Sequence, residues 1–177
     1  QPFIKQMMSR FPKVNVHVEY LSSAQIYSRI LEGKSDIGLV AVPKNARNID
    51  IYPLDNEPLV LVCSPEHAFA NKKYIDVHEL QGQQFIGFEK NIPTEMLIDN
   101  IRKQNDVTVR NVMEFDNTET IKRAVEINAG ITILPEPTVG AEVDNGTLKI
   151  VHFTNENFYR PTGIIIRKKK NLTIAGR

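Results

Sequence analysis

The sequence of 177 residues lacks the residues from which disulfide frameworks and zinc sites are built. It contains one cysteine, Cys63, which excludes an internal disulfide and favours a reducing compartment. The four histidines have no metal-binding partner at a usable spacing, and one cysteine cannot complete a zinc site. We therefore expect no structural metal.

Catalytic signatures are missing as well. The sequence has no G-x-S-x-G elbow, Walker loop or H-E-x-x-H motif, and no G-x-G-x-x-G follows a strand-like segment. Glycine is scarce, with nine residues, and no two carboxylates are paired inside an apolar segment as a catalytic acid and base would be. These absences predict a protein that is not an enzyme and needs no cofactor.

An excess of charge of one sign is also missing. The 22 basic and 21 acidic side chains give a formal net charge of +1, which leaves no electrostatic footprint for nucleic acid or an anionic membrane. The basic run at residues 167–170 directly follows an apolar segment and is interpreted as a solvated strand end. No apolar stretch approaches transmembrane length and no signal peptide is visible, although the natural start can lie further upstream. We predict a cytoplasmic protein with no membrane partner.

What the sequence does contain is an alternation of helical and strand patterns. Apolar residues at a spacing of 3.6 predict a helix over Pro2–Phe11, and strict alternation predicts a strand over Val14–Tyr20. Ser22-x-x-Gln25 has the spacing of a capping box and opens the next helix. The run Ile37–Val42 is apolar without alternation, which predicts a parallel strand buried on both faces.

A second block repeats this rhythm. Strand patterns over Gln84–Phe88, Val109–Phe115 and Ile131–Leu134 alternate with two helical patterns, which begin near Pro93 and Asp116. Alternation of this kind is typical of parallel α/β sheets with right-handed crossovers. The first block matches the second only if one more strand precedes its first helix, so we expect the chain to begin within a structural unit.

Two long apolar runs can carry the chain between two lobes. One lies within Glu57–His67 and the other within Pro161–Ile166. The resulting division puts residues 1–58 and 162–177 in a discontinuous lobe I, and residues 59–161 in an inserted lobe II. Because open α/β sheets bind ligands beyond the carboxyl ends of their strands, two such lobes would enclose a cleft.

Small polar residues occupy the strand-to-helix turns that would face this cleft. The start of a helix offers free N–H groups and the positive end of its dipole, and both favour a bound anion. Ser22 has the alternative role of a helix cap with Gln25, and the two roles are compatible if its hydroxyl also donates to a ligand. The residues predicted to bind an anionic ligand are Ser22 and Ser23 in lobe I, and Lys90, Asn91, Ile92, Pro93 and Thr94 in lobe II.

Several ordered motifs resemble one known family. The segment "PFIKQMMSRFPKVNVHVEYLSSAQIYSRILEGKSDIGLV" resembles the opening of the effector-binding domain of LysR-type transcriptional regulators. The segment "EPLVLVCSPEHAFA" looks like the family's entry into its second lobe, and "INAGITILPEP" is similar to the family's "aaGlGiallP". The stretches "LPEPTVGAEVDNGTLKIV" and "RPTGIIIRKKK" also fit, so the resemblance covers nearly the whole chain.

The resemblance implies a periplasmic-binding-protein type II fold, in which two Rossmann-like lobes surround a cleft for a small inducer. It also implies that the family's first strand and its N-terminal winged helix-turn-helix domain are absent from this chain. The full-length protein would contact DNA only through that N-terminal domain. The implied function is the ligand-sensing regulatory domain of a bacterial transcription factor, and the effector would be a small organic or inorganic anion.

Individual positions refine what the resemblance implies. Ser23 stands at the family's usual hydroxyl position in the first turn. Ala41 stands where some relatives that bind aromatic acids carry a basic residue, which disfavours that ligand class. Asn128 replaces a glycine or small residue of the family's "GlG" turn, so the local backbone there is an open question.

Two alternatives use the same fold. A freestanding solute-binding protein of a transporter would need a secretory signal upstream of this sequence. An enzyme would need a catalytic carboxylate or cysteine in the cleft, whereas Cys63 lies in an apolar strand pattern and is predicted to belong to the core.

The resemblance also implies an assembly. In the family the first helix pairs antiparallel with the helix matching Asn117–Ala129 of a second subunit, where Ile121 and Val125 would take part. We therefore predict a homodimer of this domain and a tetramer of the full-length protein. In the alternative interpretation, the apolar stripe of the first helix packs only in the core; its residues are Phe3, Ile4, Met7, Met8 and Phe11.

Overall fold

The computed structural model describes residues 9–11, 14–154 and 158–168. Most of the predicted helix over Pro2–Phe11 lies outside these residues, and so do four residues of its apolar stripe: Phe3, Ile4, Met7 and Met8. Of this stripe, only Phe11 is described, and its side chain is exposed.

The described chain forms four α-helices and eight strands, and helices and strands alternate only from β4 to β7. In order they are α1 (Ser23–Glu32), β1 (Gly38–Ala41), β2 (Ile49–Cys63), β3 (Tyr74–Ile75), β4 (Gln84–Phe88), α2 (Pro93–Gln104), β5 (Arg110–Phe115), α3 (Thr118–Glu126), β6 (Thr132–Pro135), α4 (Gly140–Asp144), β7 (Lys149–Phe153) and β8 (Tyr159–Arg167). Two short 3-10 helices, Val77–Leu80 and Glu136–Thr138, complete the described elements.

Two long strands, β2 and β8, organise the sheets. They pair with each other antiparallel, and β1 pairs antiparallel with the other edge of β8. The C-terminal residues of β2, 59–63, pair antiparallel with β6 and β7. The strand β2 therefore pairs with β8 over its first part and with β6 and β7 at its end. The register between β2 and β8 shifts between Pro53 and Asp55, which marks a bulge. Separately, β4 and β5 form a parallel pair, as the alternation of the second block predicts.

The prediction for the first block is partly wrong. The strand β1 is antiparallel to its neighbour, and only one of its faces is buried, since Leu39 is 63% exposed. The helix α1 covers one face only, where a Cβ on Gly38 would lie 2.5 Å from Cγ2 of Ile26. Residues 14–20 form no strand, and a strand needs a neighbour to complete its hydrogen bonds.

Buried apolar side chains form two separate clusters. The larger cluster is made of buried residues between Leu59 and Phe158. The smaller cluster is built around four residues, namely Ile30, Val40, Ile49 and Ile165. Strand β2 supplies residues to both clusters, and β8 supplies Ile165 to the smaller cluster and begins directly after Phe158 of the larger one. These two strands therefore connect the two parts of the described structure.

The backbone conformation at Asn128, which the sequence left open, is left-handed. Its φ is +58°, in the left-handed region that glycine adopts most readily. Asparagine is one of the few other residues that tolerate this region, because its short side chain can hydrogen-bond locally. The turn before β6 therefore keeps a left-handed backbone without the glycine.

Candidate functional site

The start of α1 is a fully formed capping box. The Ser22 hydroxyl accepts a hydrogen bond from the backbone N–H of Gln25 and donates to Gln25 Oε1 at 2.9 Å. Because a hydroxyl carries a single proton, the expectation that Ser22 also donates to a ligand does not hold in this geometry. The neighbouring Ser23 is half-buried, and its hydroxyl has no hydrogen-bond partner among the described residues. Ser23 is thus the hydroxyl that remains available in this turn.

The start of α2 is different, because no side chain caps it. Ile92 occupies the cap position without a side-chain hydrogen bond, and Pro93 follows as the first helical residue. Lys90 and Asn91 are exposed, whereas Thr94 is buried. Free N–H groups in a first helical turn are a favourable place for an anion.

Glu95 fixes the first turn of α2 against β4. Its carboxylate accepts the backbone N–H of Phe88 at 3.0 Å and a bond from Arg102 Nη2 at 2.7 Å, and both charged side chains are only 7% exposed. The Arg102 guanidinium also lies 4.9 Å from the centre of the Phe85 ring. Burial raises the pKa of Glu95 above its usual range, while Arg102 and the Phe88 N–H oppose this shift.

Two basic side chains from distant parts of the chain reach this first turn. Arg160 Nη1 donates to Thr94 Oγ1 at 3.3 Å, and Lys44 Nζ lies 3.8 Å from Met96 Sδ. Sequence analysis missed both residues, because they are 66 and 52 residues from their partners along the chain. The available signal was their position: Lys44 follows the end of β1, and Arg160 lies in β8 at the start of the second crossing run.

Tyr27 on α1 holds the backbone of Lys44. The Lys44 N–H donates to Tyr27 Oη at 2.8 Å, and the same hydroxyl donates to the Lys44 carbonyl at 3.0 Å. Just before Lys44, Val42 has a φ of +48°, which a β-branched residue rarely adopts. Tyr27 therefore links α1 to the segment that approaches α2.

Replacing Tyr27 with phenylalanine removes both hydrogen bonds to Lys44. We expect the free energy of unfolding to fall by about 1–2 kcal/mol, because each bond contributes about 1 kcal/mol net. Urea denaturation followed by circular dichroism measures the change. Tyr52→Phe is the matched control, since Tyr52 is exposed and has no side-chain hydrogen bond among the described residues. An equal loss in both variants would contradict the expectation.

The structure brings some of the predicted residues close to one another but not all of them. The chain of contacts from Tyr27 through Lys44 to Met96 joins α1 to α2. No hydrogen bond or ion pair within the described part of the chain joins Ser22 or Ser23 to the turn at residues 90–94. A cavity of about 350 Å³ lies beside the bulge of β2. None of the predicted effector-binding residues lines it; its walls are Pro43, Pro53, Leu54, Asp55, Asn56, Pro161 and Thr162.

Cys63 does not have the properties of a nucleophile. It is fully buried in β2, and burial raises the pKa of its thiol to about 11. Over residues 9–11, 14–154 and 158–168, histidine, cysteine and carboxylate side chains form no group that could hold a metal ion. None of the helices described is long and apolar enough to cross a membrane.

Comparison with known proteins decides the family. A sequence profile described as the LysR substrate binding domain matches residues 1–176. The chain belongs to this family. Its relatives include the HTH-type transcriptional regulator CysL of Bacillus subtilis, 21% identical over 93% of this chain and 55% of that protein. Another is the HTH-type transcriptional activator CmpR of a Synechocystis species, 24% identical over 97% of this chain and 57% of that protein.

Solved structures agree with this LysR assignment at the level of the fold. The CcmR regulatory domain of Synechocystis PCC6803 in complex with 2-PG has a TM-score of 0.87 and 24% identity, covering 98% of this chain and 85% of that one. The BenM effector binding domain with benzoate has a TM-score of 0.82 and 16% identity, covering 98% and 79%. The predicted periplasmic-binding-protein type II fold is therefore confirmed. The chain spans about half the length of the curated LysR-type relatives it matches.

Proposed function

We propose that this LysR substrate binding domain senses a small anionic metabolite for a bacterial transcription factor. The full-length protein acts in the cytoplasm and contacts DNA through a separate domain. The observation that carries the proposal is the start of α2, which lacks a side-chain cap and has Arg160 and Lys44 beside it. A carboxylate or phosphate placed there receives free N–H groups and positive charge together.

The relatives support the same interpretation. The relatives CysL and CmpR are transcriptional regulators, and similar solved domains are in complex with 2-PG, shikimate or benzoate. The ligand of this chain binds between lobe I, residues 1–58 and 162–177, and lobe II, residues 59–161. The two separate hydrophobic clusters, between which β2 and β8 run, support this division.

Ligand binding is tested with a thermal-shift screen of 2-PG, benzoate, shikimate, phosphate and sulfate. A ligand at one hundred times its dissociation constant should stabilise the domain by about 2.7 kcal/mol. Failure of every compound to raise the melting temperature would count against binding of these anion classes.

Replacing Ser23 with leucine should abolish the shift given by whichever compound succeeds in that screen. The reason is that a bulky apolar side chain removes the free hydroxyl of the first turn and fills the space before α1. Ser28→Leu is the control, because Ser28 lies on the same helix and its hydroxyl bonds to Glu32 instead. Unchanged affinity in Ser23→Leu would remove this turn from the proposed site.

The proposed assembly is a homodimer through the first helix and α3. Ile121 and Val125 are fully buried in the larger cluster of the single chain, so a contact through them would require this region to rearrange, and their interface role stays a prediction. Without such a rearrangement the contact would use the exposed side of this region, where Ile127 is 76% exposed. Sedimentation velocity at tens of micromolar protein should show a dimer, and a single monomeric species would refute this assembly.

A further inference from the structure

Arg160 and Glu57 form an ion pair between the two strands that connect the clusters. They face each other in register on β8 and β2. Arg160 Nε and Nη2 both donate to Glu57 Oε2, at 2.8 and 2.6 Å. The side chains are 14% and 20% exposed, so the pair is largely but not completely withdrawn from solvent. Glu57 therefore fixes one edge of the guanidinium and leaves the other edge for α2.

The other edge of the guanidinium is only partly used. Of its five N–H donors, two bond to Glu57 and one, on Nη1, bonds to Thr94 Oγ1. The remaining two have no acceptor among the described residues. Arginine presents its donors in a rigid fork that suits the oxygens of carboxylate and phosphate groups. The two free N–H donors of this fixed guanidinium can therefore bind an oxyanion in addition to the Glu57 carboxylate.

Glu57 also sets the charge that this anion would meet. The ion pair is neutral as a unit, so the positive charge beside α2 comes from Lys44 and from Lys90 in the preceding turn. Lys44 Nζ contacts the Met96 sulfur, which is a weak acceptor, and no carboxylate in the described part of the chain pairs with it. Removing the negative charge of Glu57 would expose the charge of Arg160 to a ligand.

We propose that Arg160 binds an oxyanion of the ligand at the start of α2 and that Glu57 limits the strength of this contact. The inference rests on the proposed function and specifies it further, because it assigns the residue that recognises the anionic group. A purely structural ion pair makes a different prediction. Breaking it from either side would then have the same effect on ligand binding.

The test compares Arg160→Gln with Glu57→Gln. Inorganic phosphate and malonate, as separate probes for phosphate and carboxylate, are titrated into the ¹⁵N-labelled chain at constant ionic strength. The amide signals of Thr94 and Glu95 report binding. Arg160→Gln should weaken binding about tenfold, the loss expected for one charge-assisted hydrogen bond. Glu57→Gln should tighten it about fivefold, because one nearby negative charge is removed while an acceptor for Arg160 remains.

Controls separate this effect from general changes in charge and folding. Arg123→Gln and Glu126→Gln break another Arg–Glu pair, on α3, and should leave both titrations unchanged. If Arg160→Gln does not fold, Arg160→Lys keeps the charge without the fork and should weaken binding by less than tenfold but measurably. The probe that binds more tightly identifies the anionic group.

The inference is overturned if neither anion moves the two amide signals, or if Glu57→Gln fails to tighten binding. These outcomes differ from a failure of the proposed function. An effector that raises the melting temperature in the screen, and binds equally well to the Arg160→Gln variant, leaves the sensing role intact and removes Arg160 from the site.

Discussion

Replacing Glu95 with alanine should lower the free energy of unfolding by about 3–5 kcal/mol. The substitution leaves the Arg102 guanidinium buried against the Phe85 ring without its carboxylate, and it also removes the acceptor of the Phe88 N–H. One guanidinium nitrogen, Nη1, already has no partner, so the structure around Arg102 has little capacity to compensate. Equilibrium denaturation in urea measures the loss.

Two variants show whether the loss comes from the unpaired buried charge. Glu95→Leu combined with Arg102→Leu removes both charges and should cost less than Glu95→Ala alone, because no buried charge remains unpaired. Asp99→Ala removes a partially exposed carboxylate 3.4 Å from Arg102 Nη2 and should cost less than about 1 kcal/mol. If the double variant were less stable than Glu95→Ala, the explanation would be wrong.

Replacing Ile30 with alanine should cost about 2–5 kcal/mol, and its effect should be local. Ile30 is fully buried in the smaller cluster, which has three other buried residues in the described part of the chain. A cluster of this size has few contacts with which to offset a cavity. Amide hydrogen exchange should therefore accelerate in α1 and β1 more than in β4 and β6.

Ile133→Ala provides the comparison for this variant, since Ile133 is equally buried but lies in the larger cluster. It should speed exchange in β4 and β6 first. Because α1 carries Ser23 and Tyr27, Ile30→Ala should also weaken ligand binding without altering α2. Uniform acceleration across both clusters in both variants would show that they unfold as one cooperative unit.

The sequence predicted the fold better in the second block than in the first. The strand patterns at Gln84–Phe88 and Ile131–Leu134 correspond to β4 and β6, since buried apolar runs bounded by turns identify such strands. The alternation over Val14–Tyr20 did not produce a strand, because periodicity describes the faces of a segment and not its hydrogen-bonding neighbours. The apolar run Ile37–Val42 gave no information on which face of the strand β1 would be covered by α1 and which would face solvent.

The candidate site was predictable only where it depends on local sequence. The Ser22 capping box depends on four consecutive residues, Ser22 to Gln25, and it is formed in the structure. The approach of Lys44 and Arg160 to α2 depends on long-range packing through β1 and β8, and no local spacing encodes it. For this reason the turn at residues 90–94 could be named from sequence, whereas the charges that act on it could not.

The pairing of β2 with β8 restricts the ways in which the two clusters can move. Stretching a two-stranded ribbon, or bending it within its plane, breaks several ladder hydrogen bonds at once, whereas twisting it about its long axis preserves them. The bulge at Pro53 and Asp55 adds local twist at one point of this ribbon. Relative motion of the clusters should therefore be torsional, and a molecule bound between them would change an angle more than a spacing. The surfaces of the two clusters would then rotate against each other when such a molecule binds.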